Sequence, residues 1–288
     1  MRRSLVLPAA LTAAALLVAG CSSPASTASS TSPSASASCS KASLATLSPN
    51  TLTVGTDSPA YTPYFVNNQP SNGKGFESAV TYAVAKQLGY TPSEVAWKVK
   101  HFDSIVAGNV SDVDFAINQV SITPARAKVV DFSTGYYKVN QAVIALKGGS
   151  GASATSLTAL KQLKLGAETG TTSLQWINSV VQPTQTAQIY NSTNDAISAL
   201  KAKQIDAIVV DLPTAFYITA AQLPNSIIVG QAKTGGETGD QFGIVLKKNS
   251  PLTSCVDQAL AAMTSSGELQ QITDKWLSST AGAPYLTN

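Results

Sequence analysis

Strand-like and helix-like segments alternate along most of this chain, and that alternation is what most constrains how it can fold. "TLTVGT" (51–56) and "VAWKV" (95–99) are short, β-branched, strand-like runs. Between them Ala79, Val80, Ala83, Val84 and Leu88 recur at helical spacing, and Gly89 suits a C-terminal cap. A short helix through "FDSIVAG" and a third strand, "VDFAI", follow. The second half repeats the theme, with a helix capped by Ser156, a strand "KLGAE", and a turn entering a helix at "TGTTSLQWI". A further helix, "NDAISALKAKQ", then leads to the strand "IDAIVVD", which ends at Asp211. Such a pattern predicts an α/β fold with mainly parallel sheets flanked by helices.

Beyond a leader segment about 250 residues remain, more than one core typically supports, so two lobes are expected. "VDFAINQ" and "IDAIVVD" echo one another: each has an Asp, then an apolar strand with polar residues at its C-terminal end. Ligands of open α/β sheets bind outside the carboxyl ends of strands, so each half offers one such edge. "VVDFSTGYYKVNQAVIALK" runs from the first half into the second, and "GDQFGIVLKK" runs back. The final helices, within "LTSCVDQALAAMTSSGELQQITDKWL", then return to the first lobe. The chain is thus expected to cross twice, giving a cleft with a two-segment hinge: lobe 1 from 39–137 and 243–288, lobe 2 from 138–242.

The N-terminus reads as a targeting segment. Met1-Arg2-Arg3 is basic, "LVLPAALTAAALLVAG" is apolar but too short to span a bilayer comfortably, and Cys21 follows small residues. This resembles a bacterial lipoprotein signal peptide (1–20), whose cysteine takes a diacylglyceryl group and anchors the mature protein to the membrane; the alternative is a secretory signal with a chance cysteine. Residues 21–38 are Ser/Ala/Thr/Pro with no large apolar side chain, a disordered tether. Cys39 and Cys255 remain as an even pair in an oxidising location, either a disulfide joining the domain's start to a late helix or two unpaired thiols.

Charge excludes some partners. There are 19 basic and 16 acidic residues, and without Arg2 and Arg3 the balance is 17 − 16 = +1. No basic run exists, so nucleic acid is not expected as a partner. No CxxC or Cys/His cluster suggests a metal, and no cofactor is expected.

One stretch resists a purely structural reading. "NQVSITPARAKVVDFSTGYY" offers Ser121 and Thr123, breaks at Pro124, and places Arg126 in the first turn of an expected helix. Helix N-termini favour acidic residues. A cation there is either a solvated charge or part of a site for an anion, shared with the backbone N–H groups.

Six segments together resemble the amino-acid-type (family 3) solute-binding proteins of bacterial ABC importers. They are "VGTDSPAYTPY", "GKGFESAVTYAVAKQLG", "SITPARAKVVDFSTGYY", "LGAETGTTS", "IDAIVVD" and "GELQQITDKWL", so the resemblance runs from about Leu52 to Leu277. It implies the two-lobed type II periplasmic-binding-protein fold. It also implies that Arg126 grips a ligand's α-carboxylate, since a guanidinium pairs bidentately with that group, and that the Ser121 N–H assists. Gly170, Thr171 and Thr172 match the turn by which the second lobe donates to the same carboxylate. Asp211 matches the acceptor of the ligand's α-ammonium; its structural alternative is an ordinary helix cap. Tyr61 matches an aromatic that covers the ligand's side chain.

The sequence departs from the commoner pattern in places. "DSPAY" has one residue more between Asp57 and Tyr61 than many relatives, and Asp57 either lines the side-chain pocket or orders the turn. Asn118 and Gln119 replace small residues; their amides could read a polar ligand side chain or exclude a large one. Ala79 stands where relatives often keep a second acid, and His101 and Phe102 match a loop facing the same region.

The function implied is capture of a free L-amino acid, polar or small side chains favoured, by hinged closure of a monomer. Delivery would be to an ABC permease. No GxxxxGK[ST] is present, so ATP hydrolysis would belong to the permease's ATPase subunits. The alternatives are a ligand sensor for a membrane kinase and a dehydratase-type enzyme on the same fold, whose acid would be His101, Asp57 or Glu77.

Overall fold

The computed structural model describes residues 39–234, 239–277 and 282–288. The signal segment 1–20, the tether 21–38 and Cys21 lie outside the described residues. In chain order the first part contains β1 (Leu52–Thr56), α1 (Phe76–Gln87), β2 (Val95–Val99), α2 (Phe102–Val106), β3 (Phe115–Ala116) and β4 (Val130–Phe132). A crossing strand, β5 (Tyr137–Val139), leads to β6 (Gln141–Leu146), α3 (Leu157–Leu160), β7 (Leu165–Glu168), α4 (Thr172–Trp176) and β8 (Gln188–Tyr190). Then come α5 (Thr193–Lys201), β9 (Ala207–Asp211), α6 (Leu212–Tyr217) and β10 (Ser226–Ala232). The return strand β11 (Asp240–Phe242) is followed by β12 (Val245–Lys247), α7 (Thr253–Ser265) and α8 (Glu268–Leu277).

Local chemistry sets several boundaries where the sequence puts them. Helix α1 ends in a Schellman turn: Gly89 has φ +85°, its N–H donates to Lys86 O at 3.0 Å, and the Tyr90 N–H donates to Ala85 O at 2.9 Å. Ser156 caps α3 by accepting from the Ala159 N–H at 3.2 Å. At Pro124 the expectation fails. Residues Arg126–Lys128 form one 3-10 turn, and the chain enters β4 at Val130. The physical reason is tertiary: "VDF" pairs antiparallel with β12, so no helix can propagate through it. A turn this short accumulates almost no dipole, so Arg126 brings only its own charge to whatever it binds.

Two five-stranded sheets result, ordered β2-β1-β3-β12-β4 and β10-β6-β9-β7-β8. In each, four strands run one way and a single strand, β12 or β6, runs against them. Both exceptions are the strands that arrive from the other lobe. They enter at the carboxyl edge of the parallel strands and must therefore run opposite to them. The crossings β5 and β11 pair antiparallel, Tyr137 with Phe242 and Val139 with Asp240, making the two-segment hinge.

Period-2 alternation distributes the core. Val143 and Ala145 of β6, with Ala207 and Val209 of β9, pack on one face of the second sheet. Ala142, Ile144, Ile208 and Val210 pack on the other. In the first sheet Phe115 and Leu246 face α1 and α7, whereas Ala116 and Val245 face Ile105 and Val110. Cys39 and Cys255 are joined as a disulfide, Cα atoms 5.4 Å apart, fastening the segment before β1 to α7.

One placement differs from the expected division. Residues 282–288 do not stay with the first lobe, although they follow α8. The Gln231 N–H donates to Pro284 O at 2.8 Å, the Leu286 N–H to Gln231 O at 2.9 Å, and the Leu157 N–H to Thr287 O at 2.9 Å. The free donors and acceptors at the edge of β10 and at the start of α3 attract this extended tail. Among the described residues no helix is long and apolar enough to cross a membrane.

Candidate functional site

The carboxyl edges of both sheets face one cleft, lined by residues of both lobes. Asp57 follows β1, Asn118 follows β3, Glu168 ends β7 and Asp211 ends β9, so the rule that ligands gather at strand termini places four polar side chains together. Of the residues singled out by sequence, Asp57, Tyr61, Asn118, Gln119, Arg126, Thr171, Thr172 and Asp211 line this cleft. Ser121 and Gly170 sit just behind it, and both are bonded to Arg126.

Arg126 joins the lobes. Its Nη1 donates to Ser121 O at 2.7 Å and its Nη2 to Gly170 O at 2.8 Å, one carbonyl from each side. The guanidinium carbon lies 5.5 Å from the centre of the Phe102 ring, a cation–π arrangement. Burial pulls its pKa down and the charges of Asp211 and Asp240 oppose this. Ser121 is paired with Phe242 of β11 through flanking bonds, Ile122 N–H to Gln241 O and Gly243 N–H to Val120 O, which do not use the Ser121 N–H.

The second lobe's turn is built by its own bonds. Gly170 needs φ +71°, a conformation that costs a residue with a Cβ. An added Cβ there would meet nothing nearer than 3.9 Å, so backbone conformation rather than close approach explains the glycine. The Thr171 hydroxyl accepts from the Leu174 N–H at 3.2 Å and donates to Glu168 O at 2.7 Å, so it caps α4. The Thr172 hydroxyl remains in the cleft, 3.4 Å from Ser121 Oγ across the gap.

Asp211 opens α6, but its side chain makes no capping bond. Its Oδ1 instead accepts from Gln141 Nε2 at 2.6 Å. Burial raises the carboxyl pKa to about 7, resisted by the Gln141 bond and the charge of Arg126. Gln141, 1 % exposed, also reaches Thr172 Oγ1 at 3.4 Å and accepts from Ser173 Oγ at 2.5 Å. Ser121, Thr172, Gln141 and Asp211 therefore form one polar chain that starts beside Arg126.

The other candidates divide. Asp57 lines the cleft and orders its surroundings, accepting from the Ser58 N–H at 2.6 Å, the Phe102 N–H at 2.9 Å and His101 Nδ1 at 3.0 Å. Gln119, at φ +48°, lines the cleft, yet its amide and its N–H both donate to Glu77. Glu77 is fully buried, also accepts from the Tyr136 hydroxyl, and has its pKa raised by burial to about 7. Asn118 is 8 % exposed, with Thr56 Oγ1 3.5 Å away.

Three further groups belong to the site: Glu168 and Tyr64 line the cleft, and Gln141 lies behind it, bonded to Asp211. Glu168 was within reach of the same strand-end rule that chose Asp211. Gln141 had a signal too, as a lone polar residue opening the apolar run "QAVIAL" at the crossing. Tyr64, whose hydroxyl lies 3.2 Å from Thr214 Oγ1 of the opposite lobe, looks like a core aromatic and gave none.

Two open-edged α/β lobes, a paired-strand hinge and a polar cleft that both lobes complete define a protein that closes around a small solute. The profile of the bacterial extracellular solute-binding proteins, family 3, matches residues 52–279, and the chain belongs to that family. It is 31% identical over 228 residues to the L-cystine-binding protein TcyJ of Escherichia coli (strain K12), covering 78% of this chain and 82% of that protein. It is 29% identical to the arginine-binding extracellular protein ArtP of Bacillus subtilis (strain 168), covering 74% and 81% respectively. Among solved structures, an ancestral arginine-binding protein bound to arginine is similar at TM-score 0.66 and 31% identity, over 79% of this chain and 98% of that one. Such relatives are amino-acid-binding proteins of ABC transporters, extracellular or periplasmic, and share the type II fold.

Proposed function

We propose that this protein captures a free L-α-amino acid between its lobes and presents it, closed, to an ABC permease with its ATPase subunits. The polar chain from Arg126 to Asp211 carries the reading, because it sets a cation and a carboxylate within one interlobe cleft. Arg126 exchanges its two carbonyl partners for the ligand's α-carboxylate, with the Ser121 N–H and the Thr172 hydroxyl as further donors. Asp211 takes the α-ammonium. Gly170 and Thr171 hold the turn that presents Thr172, while Tyr61 and Asn118 bound the side-chain space.

A ligand held from both sides makes contacts in the closed form that the open form lacks, and this difference in affinity drives closure. The protein works as a monomer held at the membrane by a lipid on Cys21, after removal of 1–20. A dehydratase role finds less support: Glu77 is buried under Gln119 and His101 is outside the cleft lining, which leaves Asp57 alone of the three candidate acids in the cleft.

The test is titration calorimetry of the intact protein against the common L-amino acids. Binding by at least one of them, lost in Arg126→Ala while the fold is kept, is the expected result. No heat with any amino acid from well-folded, ligand-free protein would sink the proposal.

A further inference from the structure

The ionisable side chains lining the cleft are unbalanced. Asp57, Glu168 and Asp211 bring three carboxylates, and Arg126 is the one cation among the described lining residues. A bound α-amino acid, held as proposed above, neutralises Arg126 with its carboxylate and Asp211 with its ammonium. Two carboxylates are left over, one from each lobe.

Both line the cleft, and hydrogen bonds hold each carboxyl group in place. Asp57 accepts from two backbone N–H groups, Ser58 and Phe102, and is bonded to the exposed His101 ring, which does not line the cleft. Glu168 receives both the N–H and the hydroxyl of Thr193 on one oxygen, Oε2, at 2.7 and 2.6 Å. No described residue donates to its Oε1. The sheet order β9-β7-β8 sets Glu168 one strand outward from Asp211, on the way to the start of α5. Tyr61 shares that outer part: burial first, then the charges of Glu168 and Asp57, push its phenol up to about 12. An aromatic ring and two carboxylates lining one cleft are an environment for a cation, since the ring face and the anions attract it together.

We infer that the ligand carries a positively charged side chain, that of a basic amino acid such as arginine, lysine or ornithine, received by Glu168 and Asp57 beside Tyr61. This rests on the amino-acid reading above and narrows it. It narrows the polar or small side chains that Asn118 and Gln119 suggest by sequence to charged ones, and it places the selection elsewhere, since the Gln119 amide is already bonded to Glu77. An acidic side chain would meet two like charges. A second zwitterionic head, as in cystine, would bring a second carboxylate, and no lining cation remains to receive it. Like charges placed together and polar groups left unpaired are the means by which a site rejects such competitors.

Calorimetric titration of the intact protein with L-arginine, L-lysine, L-glutamine and L-cystine tests this. Arginine or lysine should bind at least about tenfold more tightly than glutamine and cystine, a gap of about 1.4 kcal/mol. Glu168→Gln should then lower the arginine-to-glutamine affinity ratio by about tenfold or more. A purely structural role for Glu168 would weaken both ligands alike and leave that ratio unmoved, which would overturn the assignment. Tighter binding of glutamine or cystine than of either basic amino acid would overturn the inference while leaving amino-acid capture standing. Binding of none of the four, nor of any other amino acid, would remove the reading on which the inference rests.

Discussion

Gln141 and Asp211 are partners twice over: they face each other in register across β6 and β9, and Gln141 Nε2 donates to Asp211 Oδ1 at 2.6 Å. The strand that carries the chain into the second lobe thus begins with the side chain that aims the carboxylate at the end of β9. Gln141→Leu would keep the volume but leave Asp211 Oδ1 and Ser173 Oγ without their partner. We expect a loss of about 1–3 kcal/mol of stability, the usual cost of orphaned buried polar groups. Ligand affinity should fall by about tenfold in the same calorimetric titration, because the carboxylate's orientation is no longer fixed. Unchanged affinity would mean Asp211 is positioned without Gln141.

Arg126 makes two bonds in fixed geometry, to carbonyls of opposite lobes. A lysine keeps the charge and loses the planar fork. Arg126→Lys should therefore weaken amino-acid binding by about 2 kcal/mol or more, close to the effect of Arg126→Ala, as expected of a charge-assisted bidentate pair. Full rescue by lysine would show that charge alone suffices and that the bidentate geometry is unimportant.

The uneven legibility of this molecule follows from which interactions are local. The Schellman turn at Gly89 and the cap at Ser156 depend on residues within one helical turn, and both could be read directly. The turn at Arg126 could not, because β12, far along the chain, claims "VDF" as a strand. The same distinction divides the site. Arg126 and Asp211 follow from motif and strand end, whereas the Gln119 amide faces inward because α1 supplies Glu77 beneath it. Tyr64 meets Thr214 only because the lobes come together, and no sequence window contains both.

Two carboxyls give the protein opposite responses to pH. Burial lifts Glu77 from 4.5 to about 7 and Asp211 from 3.8 to about 7. Each then holds its proton more tightly folded than unfolded. Their contribution to stability is fully present below the ordinary carboxyl range and is lost as pH rises from there through about 7. Ligand-free protein should melt higher at pH 5 than at pH 8, and Glu77→Gln should flatten part of that slope; the phenols of Tyr136 and Tyr64 facing Glu77 stay protonated throughout. Affinity should move the other way, since an ammonium needs ionised Asp211: below about 7 it should fall by up to about tenfold per pH unit. Melting curves and titrations at several pH values check both signs.

The C-terminal tail is a third tie between the lobes. Helix α8 packs with α1 in the first lobe, yet residues 282–288 bond to the edge of β10 and to the start of α3 in the second. Four backbone bonds hold it there, two with Gln231, one with Leu157 and one with Thr155. Leu286 packs so closely that a Cβ on Gly230 would come within 2.7 Å of its side chain. At about 1 kcal/mol net for each such bond, deletion of 282–288 should cost about 2–4 kcal/mol. A domain of this size should then melt about 4–16 °C lower, at about 2–4 °C per kcal/mol. Gly230→Ala should reproduce part of the loss by displacing Leu286 without shortening the chain. Because the tail joins lobes that the hinge strands β5 and β11 already join, its removal should also make the open form easier to reach and weaken ligand binding. A deletion that leaves both the melting temperature and the affinity unchanged would reduce the tail to a passive passenger on the second sheet.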